Sequence, residues 1–455
     1  MRIFGRTATF LEGPTHSFSV EALAKILPPE WVLEALAESG KKSTRVRRWP
    51  TALVVWFLIL LGIFRRASYE NLLEKLHGSW WTRQLWSLKK PPGTSGVTKA
   101  RDRVGVEPLR RLFYRSSGVW ANGTCGDIVA GRRAVALDGI CFKVFDSEAN
   151  REYFGTPGCS RGNTAFPQVR TVQLSDVANR FVVDFEHGPW ETSELELAER
   201  LRPRIPVGSL VLMDRNFYSF AFLWALHSEG LLDFLVRAKT GKTALKPRLI
   251  KVLDVGDEIV ELRPPKSLKR ALPRLPDKWR LRRIRYRVNG GETTEILTTI
   301  LDPQLLSKDD AVELYHDRWQ IETSADEVKT HFCDCATVNR PVAFRGKTPE
   351  RVQQELYATF TAYNAARKLI AEAAPAANVD PHRISFIAAV ERVREGVQAM
   401  QTLPTAALRC RYRQMLDATA RVLVPFRPGR SVRRGVRVKM SKFPLKYPQE
   451  KEVAA

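Results

Sequence analysis

The sequence is short of cysteine, of long apolar runs and of acidic residues, and each shortage removes a class of protein. Six cysteines among 455 residues are too few for a disulfide-built fold. Cys333 and Cys335 lie close to His331, but no second ligand pair follows at a zinc-site spacing. The longest apolar run, Ala52 to Phe64, falls well short of the ~20 residues that a membrane-spanning helix needs, so it reads as a buried helix. The first residues lack the charged lead, apolar stretch and cleavage site of a secretory signal. These absences together lead to the expectation of a soluble, cytoplasmic protein in a reducing compartment, with no membrane partner.

Acidic residues are outnumbered. Asp and Glu total 49 against 73 Lys and Arg, giving a formal charge of +24 and an isoelectric point near 10.0. With 44% hydrophobic and 27% charged residues the composition is globular, and the length suits two or three domains. Such a basic excess calls for a polyanionic partner, most simply nucleic acid.

Along the chain, residues 1–125 carry helical patterns over Ser17–Ala37, Thr51 onward, Tyr69–Leu76 and Val97–Leu112, with Trp80, Trp81 and Trp86 between the last two. This region reads either as a helical DNA-binding domain or as a structural cap with a basic surface. From residue 133 the character changes. The run R-A-V-A-L-D-G-I-C-F-K-V-F reads as a strand, a turn or bulge at Gly139 and a returning strand, with Asp138 near a strand end. Strand-like runs at Thr171–Leu174 and Arg180–Glu186, a helix at Leu195–Leu201, a strand at Ser209–Met213 followed by Asp214, a helix at Phe217–Gly230 and a strand at Leu232–Arg237 complete an α/β plan with mixed strand order. Residues 240–300 break it. Strand patterns recur there with no helix between them, which predicts an all-β insertion, with a basic patch that includes Lys266, Arg274, Lys278 and Arg280 around Trp279. That tryptophan is read as packing in preference to a base-stacking platform. Helices over 350–373 and 384–400 follow. The stretch Arg421–Lys446 has nine basic residues and no acidic one, a pattern open to a phosphate contact or to a solvated tail.

Ser307 to Thr330 contains neither Gly nor Pro, and Ser307 with Asp310 resembles a capping box. The stretch predicts one helix of about six turns. On it Tyr315, Arg318, Glu322 and Lys329 fall within about 60° of one another. A carboxylate between an arginine and a lysine has two readings. One is a row of surface ion pairs worth about 0.5 kcal/mol each. The other is a cation site whose flanking positive groups hold phosphates. Asp138, Asp214 and Glu322 would form such a site if the sheet edge and the helix meet. Three carboxylates brought together repel one another, and a divalent cation such as Mg²⁺ removes that repulsion while leaving positions open for water and phosphate. A chemistry of this kind needs no histidine base, and the chain has only seven histidines.

These residues resemble the DDE-type transposases of bacterial insertion sequences that carry a Tyr-Arg-Glu-Lys signature (the insertion element 4-like group). Tyr315, Arg318, Glu322 and Lys329 match that signature at every spacing, Asp138 stands in A-L-D-G, and Asp214 stands in M-D-R-N-F-Y. The blocks F-P-Q-V-R-T-V, E-L-E-L-A-E-R-L with Glu194, and F-L-V-R-A-K lie in the same order as in the family. Asn216 departs from the glycine common at its position. The resemblance implies an RNase H-like catalytic core over residues 126–240 and 304–375. It places a β-strand insertion at 241–303, a helical N-terminal domain at 1–125 and a helical, basic C-terminal region at 376–455. It also implies a DNA transposase that cuts at terminal inverted repeats and joins the ends to a target. In that reading Asp138, Asp214 and Glu322 bind two Mg²⁺ ions, for which Mn²⁺ can substitute. Tyr315, Arg318 and Lys329 belong to the DNA-phosphate contacts, and the protein is a homodimer on double-stranded DNA. The alternatives are a DNA-binding regulator without catalysis and a structure-directed endonuclease that cuts without joining.

Overall fold

The computed structural model describes residues 26–45, 47–65, 67–77, 92–123, 128–159, 162–163, 166–239, 245–287, 293–332, 344–399 and 405–425. The side chains of His77, Cys159, Asn163, Trp319–Asp326, Thr330–Phe332, Gly396–Ala399 and Thr405–Leu408 are outside that description. The three tryptophans at 80, 81 and 86, the pair Cys333 and Cys335, the His331 side chain and the basic run beyond Pro425 therefore lie outside the described residues.

The N-terminal part is helical: α1 (Pro29–Glu38), α2 (Thr51–Ile63), α3 (Tyr69–His77), α4 (Val97–Val104) and α5 (Glu107–Asn122). Every residue of α2 is buried. A helix apolar all round has no face for water and must be enclosed. The pattern over Val97–Leu112 is not one helix, because Gly105 adopts φ +68° and separates α4 from α5. That conformation costs glycine little and ends a helix cleanly.

A mixed sheet follows. Its strands are β1 (Ile128–Val129), β2 (Arg132–Lys143), β5 (Gln168–Asp176), β6 (Val182–Pro189), β7 (Ser209–Met213), β8 (Asp233–Arg237), β9 (Arg248–Asp254), β10 (Asp257–Leu262), β11 (Trp279–Tyr286) and β12 (Thr294–Thr298). Two short strands, β3 (Gly158–Cys159) and β4 (Gly162–Asn163), form a separate hairpin. The order across the sheet is β6-β5-β2-β7-β8-β12-β11-β10-β9, with β1 paired to β2. Strands β2, β7 and β8 run parallel, and the remaining pairs are antiparallel. The connecting helices are α6 (Glu148–Phe154), α7 (Glu194–Leu201), α8 (Phe220–Gly230) and α9 (Lys266–Ala271). After β12 come α10 (Lys308–Asp326), α11 (Pro349–Ala377), α12 (Phe386–Ala399) and α13 (Thr405–Ala420).

Two expectations need correction. The run from 133 to 145 does not turn back at Gly139, since β2 passes straight through it. The stretch between β8 and α10 is not all β, because α9 follows the N-cap Pro265. At six residues that helix is too short to leave a readable period. The strands around it also do not stand apart: β12 pairs with β8 and continues the main sheet. Much of the basic character there is internally neutralised. Arg282 is fully buried and paired with Asp257, while Arg283 and Arg285 both meet Glu258. Arg274, Lys278 and Arg280 remain exposed. Trp279 packs among Phe220, Trp224, His227 and Phe234 and is 8% exposed, which is the packing role.

Alternation along the strands builds two apolar layers. Val135, Leu137, Val211 and Met213 pack with α7 and α8 residues such as Leu197 and Leu223. Ala134, Ala136, Leu210 and Leu212 pack with Ala311, Leu314 and Tyr315 of α10. A third core joins the N-terminal helices to the long α11. There Gly62 of α2 lets the backbones approach, since a Cβ at that position would lie 3.2 Å from the Ala362 Cβ. Glu355 of α11 sits between Arg65 (3.1 Å) and Arg101 (3.0 Å), all three buried. Burial raises the pKa of that carboxyl, but the two guanidinium groups outweigh it and hold the value below the usual range. Among the described residues no helix is long and apolar enough to cross a membrane.

Candidate active site

Strands β2 and β7 are parallel neighbours whose shared register ends at Leu137 opposite Met213. The next residue on each chain is an aspartate. Adjacent strands lie about 4.8 Å apart, so Asp138 and Asp214 stand at the same level on neighbouring backbones. Asp138 is not at the end of its own strand, as its sequence context suggests; β2 continues to Lys143, paired only with β5. What ends at Asp138 is the pairing with β7. By alternation Asp138 continues the face of Ala134 and Ala136, the one covered by α10. Asp214 has an extended backbone (φ −79°, ψ 177°) and starts a single 3₁₀ turn, its Oδ1 accepting from the Asn216 backbone N–H at 2.8 Å.

Helix α10 begins where the sequence places it. The Ser307 hydroxyl accepts from the Asp310 backbone N–H at 3.0 Å, one half of a capping box. Two turns later the Tyr315 hydroxyl donates to the Met213 carbonyl at 3.3 Å, fastening the helix to the last residue before Asp214. Burial raises the pKa of the Tyr315 phenol, Arg318 and Arg237 act against it, and the nearby Asp214 charge adds a further upward push. The Arg318 guanidinium lies 5.3 Å from the Tyr315 ring centroid. Both side chains are buried, at 4% and 3% exposure. Glu322 belongs to the same helix, two turns beyond Tyr315, and its side chain lies outside the described residues.

The regular helix stops at Asp326. Residues Glu327–Phe332 form a π-helical turn, a widening found frequently at functional sites. Its first residue is tied down from two directions. Glu327 accepts from Arg180 at 3.0 Å and from the Tyr363 hydroxyl at 3.1 Å, and it pairs with Arg367. All four groups are buried. Lys329, on the same turn, is exposed. It acts on the Cys141 thiol of β2. Burial raises the pKa of that thiol, Arg170 and Lys329 pull it down, and Glu194 pushes it up. Lys329 and Glu194 thus both lie within coulombic reach of a residue three positions past Asp138.

Residues 130–365, more than half of the chain, match the transposase DDE domain family, and residues 17–114 match the insertion element 4 transposase N-terminal family. The chain belongs to the DDE transposases. This transposase is 26% identical over 437 residues to transposase InsG for insertion sequence element IS4 of Escherichia coli, an alignment covering 95% of each chain. It is 29% identical over 214 residues to the putative transposase InsZ of the same species, covering 47% of this chain and 69% of that one. Among solved structures, a cryo-electron microscopy structure of the piggyBac transposase synaptic complex with hairpin DNA matches at a TM-score of 0.39 and 11% identity, over 92% of this chain and 89% of that one. A likeness that slight does not bear on function.

The protein is therefore a DNA transposase of the DDE type, a family that works with divalent metal ions. The side chains that the structure brings together fit such an ion in kind. Asp138 and Asp214 are hard oxygen donors that directly follow the last paired residues of β2 and β7, the ligand type that Mg²⁺ and similar ions take. Among the described residues no three His, Cys, Asp or Glu side chains are arranged to hold a metal, and Glu322 is outside that set. Sequence reasoning about the transposase passed over Glu327, Arg180 and Arg367. The three stand far apart in sequence, and only the folded chain brings them together.

Proposed function

We propose that this transposase cuts phosphodiester bonds at the inverted repeats of its element and joins the freed 3′ ends to target DNA, with Asp138, Asp214 and Glu322 as the metal-binding carboxylates. The observation that carries this reading is the pair of aspartates at one level on neighbouring parallel strands, with α10 fastened across them by Tyr315. Two Mg²⁺ ions held there would supply an activated water or hydroxyl and stabilise the leaving oxygen. In the cutting step a water oxygen bonds to phosphorus while the P–O bond to the 3′ oxygen breaks. In the joining step that 3′ hydroxyl loses its proton and bonds to a target phosphorus, while the bond from that phosphorus to the target's own 3′ oxygen breaks and the departing oxygen takes up a proton. The protein's own part is to fix the reacting phosphate in line and to exclude misaligned attack.

The meander β2-β5-β6 followed by the parallel β7 and β8 supports an RNase H-like core for residues 126–240 and 304–375. The strands between 241 and 303 then form an insertion into it. Residues 1–125 and 376–455 are the flanking helical regions in this reading. In this reading the protein works in the cytoplasm, on double-stranded DNA and as a homodimer there. Tyr315, with its hydroxyl on Met213, sets the helix. Arg318 and Lys329 serve the phosphates, Arg318 from a buried position near the Tyr315 ring and Lys329 from an exposed one.

The deciding experiment incubates the protein with duplexes carrying the ends of its own element, with and without Mg²⁺, and repeats the reaction with precut ends and a target plasmid. Metal-dependent nicking at the repeat boundary and joined products are expected. Nicking without joining would leave an endonuclease, and binding with neither would leave a regulator. In the same duplexes Lys329→Glu is expected to weaken binding and to flatten the dependence of log Kd on log salt by about one phosphate contact. An unchanged slope in a salt titration would remove Lys329 from the phosphate contacts.

A further inference from the structure

Gly139 follows Asp138 directly, yet its backbone is not in the left-handed region that demands glycine. The reason for the glycine is space. A Cβ built there would lie 2.5 Å from Cδ and 2.6 Å from Oε1 of Glu194. The Glu194 carboxylate therefore rests against the bare β2 backbone, on the sheet face opposite to Asp138. Its other oxygen accepts from the Asn216 side-chain amide at 3.3 Å. The backbone N–H of that same asparagine donates to Asp214 Oδ1.

These contacts form a strap. It starts at the backbone beside Asp138, passes through the Glu194 carboxylate and Asn216, and ends on the Asp214 carboxylate. Its position matters because the ladder between β2 and β7 stops at Leu137 and Met213. At the level of the two aspartates no strand pairing holds the backbones at a fixed separation. The strap itself is anchored. Glu194 opens α7, whose N-cap Ser193 accepts from the Glu196 N–H at 3.1 Å, and a carboxylate in the first turn is favoured by the helix dipole. Leu197 and Leu201 of α7 are buried in the layer that also holds Leu137 and Met213.

We infer that Glu194 is a positioning residue for the transposition chemistry, setting the spacing of Asp138 and Asp214 and with it the affinity for the divalent ion. The inference rests on the proposed roles of those two aspartates as metal ligands. Asn216 and Gly139 are its working parts: one carries the hydrogen bond, the other makes the room.

The test measures the rate of end cleavage against Mg²⁺ concentration, together with the melting temperature, for Glu194→Ala, Glu194→Gln, Gly139→Ala and the double variant Gly139→Ala with Glu194→Ala. Asp138→Asn is the reference. For Glu194→Ala the Mg²⁺ concentration at half-maximal rate is expected to rise about tenfold or more, the range seen when a residue supporting a metal ligand is lost. The rate at saturating Mg²⁺ should fall less. Glu194→Gln keeps both shape and acceptor and should restore most of the apparent affinity. Gly139→Ala should impair metal dependence on its own but add nothing to Glu194→Ala, because the methyl group then occupies the space left by the carboxylate. A shift in melting temperature with unchanged Mg²⁺ dependence overturns the inference in favour of a structural role. So does a Glu194→Gln defect as deep as that of Asp138→Asn, which would make Glu194 a metal ligand itself. Full activity in Asp138→Asn would instead remove the proposed active site, and the inference with it, whatever the Glu194 variants do.

Discussion

Asp138→Asn and Asp214→Asn should each lower the rate of transposon-end cleavage by about a thousandfold or more, equivalent to about 4 kcal/mol of lost transition-state stabilisation. Neither change should alter the melting temperature appreciably or the affinity for the end duplex. Both side chains are half-buried, next to the last paired residues of β2 and β7. The Asn216 backbone N–H meets one Asp214 carboxylate oxygen, and an amide oxygen can accept that bond equally well. What the amide removes is a negative charge beside a second one, the feature that favours a divalent cation. Single-turnover cleavage, a thermal melt and a binding titration on the same preparations check the three parts. Wild-type cleavage by both variants would end the assignment.

Glu327→Ala should cost about 3–5 kcal/mol of stability, since it leaves Arg180 and Arg367 as buried charges without their shared carboxylate. The urea midpoint should fall with little change in slope. Replacing the whole group with apolar residues of similar size, for instance Arg180→Met, Glu327→Leu and Arg367→Met together, should recover much of that loss, because the cost lies in the orphaned charges more than in the missing attraction. The single variant should also lose activity out of proportion to its unfolded fraction. Glu327 fixes the first residue of the π turn that carries Lys329. A destabilised protein with normal activity per folded molecule would show that the clamp serves stability alone.

Local chemistry was legible where it was carried by neighbours in sequence. The start of α10 follows from Ser307 and Asp310, and the buried α2 follows from an uninterrupted apolar run. Asp138 and Asp214 each follow an apolar stretch, and their contexts A-L-D-G and M-D-R-N-F-Y carry the family resemblance. What the sequence hid was always a matter of distant partners. Gly139 looked like punctuation, but the reason for it lies in Glu194 on the opposite face of the sheet. The widened turn after Asp326 leaves no trace in the local pattern, and the partners of its first carboxylate, Arg180 and Arg367, lie far off in sequence. The stretch after β8 looked self-contained because no local signal reveals that β12 pairs with β8. Trp279 was ambiguous for the same reason: its ring neighbours Phe220, Trp224, His227 and Phe234 belong to an earlier part of the chain.

The union of α2 with α11 through Gly62 and through the Arg65–Glu355–Arg101 group has a mechanical consequence. Wedged backbones and a buried triple of charges do not slide past each other. The amino-terminal helices and α11 therefore shift as one piece, so that a load placed on α2 reaches the helix whose Tyr363 and Arg367 hold Glu327.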